Sequence, residues 1–261
     1  MKLVLVFAPI LLTLLVLFDR MPSSAQITLW ETYQSAGHQA IEDGRVADAE
    51  RLLLAAAQYI ETVSPDDPRP ADTLNDLGVL YGMQNRDIEA EPLFEKASAI
   101  NEKAFGRQHP SVVLALQNLS VIYASQNKFS EAHRAARESL EISLHLFGIY
   151  HPRIGSTCRT LATVYALEGK YEEAERFAEK SITVFENTLG ERHPETAQSL
   201  EMMVRLMWST HREREAQRLE ARLNTIRQSS GSESESAEDT DRQGIKNPNT
   251  LREDSRAARR E

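Results

Sequence analysis

The sequence predicts an all-α protein, an α-solenoid of about five helix–turn–helix repeats. Three observations carry this expectation. One period of 42 residues runs through the chain in several independent series. Between those markers, apolar residues recur three and four apart, the spacing of one helix face. Eleven glycines in 261 residues are few for a chain built from many tight β-turns. The length leaves room for one large domain or two small ones. With 41% apolar and 26% charged residues, most of the chain has the composition of a soluble globular protein.

The N-terminus reads as an address. Met1 and Lys2 precede a mostly apolar run, residues 3–18, followed by Asp19, Arg20 and the small residues Ser23 and Ala25. That order describes a secretory signal peptide over residues 1–25, cut after Ala25. The run falls short of the roughly 20 residues that span a bilayer comfortably. If retained, residues 3–18 would instead anchor the protein in a membrane with its repeats outside the cytoplasm. No Cys follows the run, which argues against a bacterial lipoprotein. The expected location is secreted or periplasmic. The single cysteine, Cys158, suits an oxidising compartment and excludes an internal disulfide framework or a multi-Cys metal site.

The body follows the period. Tyr81, Tyr123 and Tyr165 stand 42 apart, with Met207 next in line; Leu77, Leu119, Leu161 and Met203 do the same. So do Ala90, Ala132, Ala174 and Ala216, and Pro68, Pro110, Pro152 and Pro194, the last three each preceded by His. Gly106, Gly148 and Gly190 complete the set. An earlier unit ends near residue 64, with Ala49 only 41 residues before Ala90, so one residue is lost from its second half. In each unit, the spacing of Leu74, Leu77, Leu80 and Tyr81 predicts a first helix over 72–83. A breaker, Gln84-Asn85-Arg86, follows. Ala90, Leu93, Phe94, Ala97 and Ile100 then mark a second helix that stops near Gly106. Pro110 opens the next helix, where its missing N–H costs nothing. Gly78 and Ala90 let the paired helices approach, and Tyr81 and Phe94 fill the space beside them.

The pattern Leu74-x2-Leu77-Gly78-x2-Tyr81 followed by Ala90-x3-Phe94 resembles the tetratricopeptide repeat (TPR). The 42-residue period, the His-Pro pairs and the turn at residues 169–175 resemble the longer kinesin-light-chain variety. The resemblance covers roughly residues 28–227 and implies a right-handed superhelical stack. The first unit is degenerate at Ala36, Gly37 and Ala40, and the fifth carries Met202, Met203, Val204 and Met207 on its first helix. The charged second helix of that unit, 212–227, fits a terminal repeat capping the stack. Armadillo-type repeats lack the small-and-aromatic pattern, and a β-propeller would need strand alternation. The expected organisation is a TPR domain over 26–228 and a disordered charged tail over 229–261, where little apolar surface is available to bury.

Function is read largely by exclusion. A net charge of -9 argues against a nucleic-acid partner, which needs a basic face. His109, His151 and His193 are one repeat apart, too far to share a zinc ion whose bonds are about 2.0–2.1 Å; they are expected to shape the starts of their helices. Cys158 is expected to be a packing thiol. The acidic pairs Glu172-Glu173 and Asp66-Asp67 sit beside helix starts and complement the helix dipole. No Gly-rich phosphate loop, Gly-x-Ser-x-Gly elbow or His-Glu-x-x-His occurs, so no enzyme activity, cofactor or metal is expected.

What remains is a binding surface. The resemblance implies that the first helices line a concave groove for an extended peptide or a partner helix. Matching turns carry Asn75, Gln117, Arg159 and Glu201; one turn on come His38, Val79, Val121, Thr163 and Arg205, with Trp208 nearby. Asn75, Gln117, Arg159, Glu201, Arg205 and Trp208 are therefore the candidate partner-binding residues. The Lys/Asn pairs by which some relatives clamp a terminal carboxylate are missing. The expected function is an exported protein–protein interaction module, adaptor, scaffold or assembly factor. The alternative is a structural protein that self-associates through its terminal repeat at Met202, Met203, Met207 and Trp208. An exposed apolar patch there would favour the alternative, and a covered one the first reading.

Overall fold

The computed structural model describes residues 23–63 and 67–244. Among them there are ten α-helices and no strand: α1 (Ser23–Glu42), α2 (Val46–Val63), α3 (Pro70–Met83), α4 (Asp87–Phe105), α5 (Pro110–Ser125), α6 (Phe129–Phe147), α7 (Pro152–Leu167), α8 (Tyr171–Leu189), α9 (Pro194–Ser209) and α10 (Glu213–Gly244). They pair as five helix–turn–helix repeats, the architecture expected from the period. The chain divides into two compact units, one ending at Leu146 and the other starting at Phe147. The first holds α1–α5 and nearly all of α6; the second holds α7–α10.

Within a repeat, one turn recurs five times. The second residue past each first helix turns the chain with positive φ at Gly44, Asn85, Asn127, Gly169 and His211. Gly and Asn tolerate that left-handed conformation, whereas His211 carries a β-carbon into it with little local compensation. The next residue donates its backbone N–H to the carbonyl five positions earlier: Arg86 to Tyr81 (2.9 Å), Lys128 to Tyr123 (2.8 Å), Lys170 to Tyr165 (2.9 Å) and Arg212 to Met207 (2.9 Å). This closes the first helix in a Schellman turn.

The same basic residue reaches back to the preceding repeat. In the first unit, Arg86 Nη1 bonds Glu50 at 2.9 Å and Lys128 Nζ bonds Glu91 at 2.7 Å. In the second, Arg212 Nη1 bonds Glu175 at 2.7 Å. Arg86 also lies 4.0 Å from the Tyr81 ring centroid, so one side chain ties turn, aromatic core and neighbouring repeat together. Lys170 pairs with Glu168 of its own turn, and position 133, in register with the three acids, is His.

Between repeats, the three His-Pro steps do what the sequence suggests. Nδ1 of His109, His151 and His193 accepts the backbone N–H of Ser111, Arg153 and Glu195, each at 3.2 Å. Imidazole thus serves as the N-cap acceptor, with Pro in the first turn. Two of these rings also stack on the last aromatic of the preceding helix, Phe105 on His109 at 4.3 Å and Phe147 on His151 at 4.6 Å. The second repeat departs from the pattern: α3 begins at Pro70 behind Arg69, two residues later than the Pro68 series implies.

Close helix approach rests on glycine. A β-carbon on Gly78 would stand 2.7 Å from the ring of Phe94, which is 2% exposed. Gly37 receives Leu53 in the same way, so the first two repeats are in register at 41 residues and the lost residue falls after Leu53. In the fourth repeat the pairing moves: Ala178 stands in Phe94's place, and Phe185 packs instead against Gly155, two turns along. Tyr81 is buried, but Tyr123 in the same series is only partly so, its hydroxyl donating to Glu95 at 2.9 Å.

Two expectations meet the structure at their edges. Residues 1–22 of the proposed signal segment lie outside the described residues, and Ser23 to Ala25 open α1. Helix α10 continues to Gly244, beyond the boundary that composition placed at 228; residues 245–261 lie outside the described residues. No described helix is long and apolar enough to cross a membrane.

Truncating Phe94 to Ala should cost about 3–5 kcal/mol, as for other buried aromatic side chains, and lower the thermal midpoint of a strongly helical circular dichroism signal. His211→Gly should raise that midpoint, relieving a conformation that costs a non-glycine residue about 1–2 kcal/mol. Glu50 titrates below the usual carboxylate range, chiefly because Arg86 hydrogen-bonds its charged form. A depressed folded value contributes stability that is complete above the unfolded value and is lost as the pH falls through the folded one. Wild type should therefore be more stable than Glu50→Gln at neutral pH, and the difference should shrink as the pH falls below the ordinary glutamate range.

Candidate partner-binding groove

Of the six candidate residues, Asn75 and Gln117 lie in the first unit and Arg159, Glu201, Arg205 and Trp208 in the second. In the first unit, Asn75 is 5% exposed and both atoms of its amide are buried, so it does not present that amide to a partner. Gln117 is partly buried on α5, its backbone carbonyl accepting the Ser120 hydroxyl at 2.7 Å. The open face of this unit carries other residues. His38 Nε2 lies 2.6 Å from Asp76 Oδ2, Gln34 donates to the same oxygen at 3.3 Å, and Val79 is exposed beside them. Asp72, one turn before Asp76, has its carboxyl raised by desolvation and then by its acidic neighbour.

In the second unit, Arg159 is committed. Its guanidinium pairs with Glu195 at 2.7 Å and lies 5.6 Å from the Phe185 ring centroid. It braces α7 against α8 and α9 rather than standing open to a ligand.

Glu201, Arg205 and Trp208 do come together. They lie on α9 at i, i+4 and i+7, with Val204 between them, and α10 opposes them with Glu220, Leu223, Asn224 and Arg227 at the same spacing. Two antiparallel stripes so placed enclose a groove of about 370 Å³. Its floor is Val204 and Leu223, both buried. Glu201 is paired with Arg227, and Trp208 Nε1 donates to Glu220 at 2.8 Å while the residue stays 41% exposed. Arg205 is exposed, lies 3.9 Å from Met202 Sδ, and pairs with no carboxylate among the described residues. The groove therefore offers an apolar floor and an arginine without a carboxylate partner among the described residues, with the exposed Trp208 indole one turn further along α9, outside the lining.

Sequence reasoning missed the α10 half of this groove because the charges of that helix read as a polar cap. The repeat of Glu220, Leu223, Asn224 and Arg227 on one helix face was the available signal. A second crevice, about 440 Å³ between α8 and α10, has Leu200, Met203 and Met207 at its base. Its rim charges are largely spent on the Arg212 pairs with Glu175 and Glu215.

The remaining candidates for chemistry are structural. Cys158 is buried, and burial pushes its thiol up to about 11, away from nucleophilic use. Among the described residues no cluster of His, Cys, Asp or Glu is placed to hold a metal ion.

The family model of the tetratricopeptide repeat matches residues 31–103, 87–144 and 154–229. No curated protein matches the sequence significantly. Among solved structures, a kinesin-light-chain-type protein of Podosopora anserina with nearly identical TPR-like repeats is similar at a TM-score of 0.58 and 22% identity, over 77% of this chain and 95% of that one. BtubC from P. vanneervenii is similar at 0.60 and 19%, over 77% and 80%. The Rap conjugation regulator of plasmid pLS20, in complex with the Phr* peptide, is similar at 0.64 and 16%, over 88% and 62%.

The geometry separates the two arginines in a measurable way. Arg159→Ala should lower stability by about 1 kcal/mol, the scale of an ion pair with a ring contact. Arg205→Ala should leave the melting temperature within about 0.5 kcal/mol of wild type.

Proposed function

Since the chain belongs to the tetratricopeptide-repeat family, we propose that it is an exported protein–protein interaction module, an adaptor or assembly factor, that seats a partner peptide or helix in the α9–α10 groove. The observation that carries this is the uncommitted Arg205 beside the exposed Trp208 ring, over an apolar floor. A solvated helix surface has no need of an exposed indole, and buried anchors with a polar rim are what a peptide groove uses. The Rap regulator of similar fold holds a peptide, and that mode of use is carried over here. The partner segment would offer an aliphatic or aromatic side chain to the floor and a carboxylate to Arg205. A lone basic point in a chain of net charge -9 selects among acidic segments more than it attracts them indiscriminately.

Self-association through the last repeat draws less support. Met202, Met203 and Met207, on which such stacking would rest, are at most 6% exposed inside the second unit. Export rests on the charged start, the apolar run and the small residues of 1–25. N-terminal sequencing of the protein from its native host should begin at Gln26; an intact Met1 would leave the segment as an anchor.

The binding claim is tested with a partner co-purified from the extracytoplasmic compartment and titrated by calorimetry. Arg205→Ala should weaken it by roughly 1.5–3 kcal/mol, the worth of a charged hydrogen bond, without loss of helix. Wild-type affinity should also fall with added salt, because charge attraction at an open groove is screened. Unchanged affinity in an Arg205→Ala/Trp208→Ala double variant would move the partner to another face.

A further inference from the structure

The α9–α10 groove occupies a place in the stack that is filled one repeat earlier. Moving its lining back by the 42-residue period gives positions on α7 and α8, and those positions receive α9. Glu201 corresponds to Arg159, which pairs with Glu195 of α9 at 2.7 Å. Leu223 corresponds to Ser181, whose hydroxyl lies 2.8 Å from that of Ser199. Val204 and Asn224 correspond to Ala162 and Ile182, which share one buried cluster with Leu200 and Met203 of α9. Helices α7–α10 all belong to the second unit. The groove is thus the seat of a further first helix, left open among the described residues.

We propose that this seat takes an amphipathic α-helix of a partner protein, about four turns long and antiparallel to α10, as α9 is seated on α7 and α8. The inference rests on the reading of the groove as the partner site and adds the conformation, direction and chemistry of the occupant. A furrow between two antiparallel helices is walled by rows of side chains, into which the ridge of a third helix packs. A helix also satisfies its own backbone, whereas an extended segment would need partners for its N–H and C=O groups. The groove has few to give: Glu201 and Arg227 are spent on each other, and Asn224 is the one amide in the lining.

The seat is not a copy of the one beneath it, and the differences define the occupant. Leu223 stands where Ser181 does, so the polar contact with Ser199 becomes apolar and calls for an aliphatic side chain at that point. Arg205 stands where Thr163 does, one turn past Arg159. Since α7 and α9 run in the same direction, the occupant meets Arg205 one turn after the place of Glu195, where α9 carries the exposed Gln198. A carboxylate there answers the arginine. Glu201 reverses the charge of Arg159 but is already paired with Arg227, so it asks nothing of the partner.

The probe is a fluorescent peptide with the 16-residue sequence of α9, Pro194–Ser209, carrying Gln198→Glu and Ser199→Leu and stapled as a helix on its solvent side. A second, unstapled peptide adds Glu201→Pro, which breaks the helix and spares the residues that face the seat. Anisotropy titration of the full chain should show one stapled peptide bound per chain, and the proline peptide weaker by about 100-fold. Arg205→Glu in the protein should weaken the stapled peptide by about tenfold. Asn224→Trp, which fills the groove from an exposed position, should abolish binding while circular dichroism stays native. Equal affinity for the proline peptide would overturn the helical occupant and leave the groove standing as a site for extended segments. No saturable binding of the stapled peptide, or an affinity that neither protein variant changes, would overturn the proposal; in the second case the groove reading falls with it. A dimer in sedimentation velocity that Asn224→Trp converts to monomer would give the seat to a second copy of this chain and overturn the proposal.

Discussion

No helix pair of this chain can bury its apolar stripe by itself. Within the units, α2, α4 and α8 each pack on their own first helix and also on the first helix of the next repeat. Neighbour contact is therefore the source of stability, as in other repeat arrays. Everything else about the sequence serves that contact. Gly78 is small because the Phe94 ring occupies its β-carbon space. The turn after each first helix must close tightly enough to return the second along it, which places a left-handed residue at that point in all five repeats. In three of them, at Arg86, Lys128 and Arg212, the basic residue after it bonds the previous repeat, so the turn that ends one helix also fastens its neighbour.

This dependence explains what was legible in the sequence. Turn and cap positions are set by backbone geometry, which only a few residue types satisfy, so Asn85, Gly106 and the His-Pro steps carry strong signals. Core positions are less specific. The move of bulk from Ala178 to Phe185 is invisible to a fixed period, because two turns along the same helix keep the ring on the same face. Tyr123 shares a series with Tyr81 but not its burial, since what covers a side chain belongs to neighbouring helices.

The proposed binding face was the least legible part. Helical spacing identifies which residues share a stripe, and it sets Glu201, Arg205 and Trp208 on one face of α9. It does not say which of them are already engaged. Arg159 pairs with Glu195, and Arg205 pairs with no carboxylate among the described residues; that difference depends on the facing helix. Asn75 occupies the stripe but turns its amide into the interior. The last repeat is where such a stripe stays open, because α10 meets it with short and charged residues instead of a further apolar layer.

The central claim is that partners are held by the α9–α10 groove. Site-specific photo-crosslinking in the native host tests it most directly. A photoreactive residue would replace Asn224 in the groove or, separately, Arg137 on the exposed face of α6, both outside the core. The account predicts a discrete crosslinked species from position 224, abolished by Arg205→Ala, and none from position 137. The same species arising from position 137 while 224 gives nothing would contradict it.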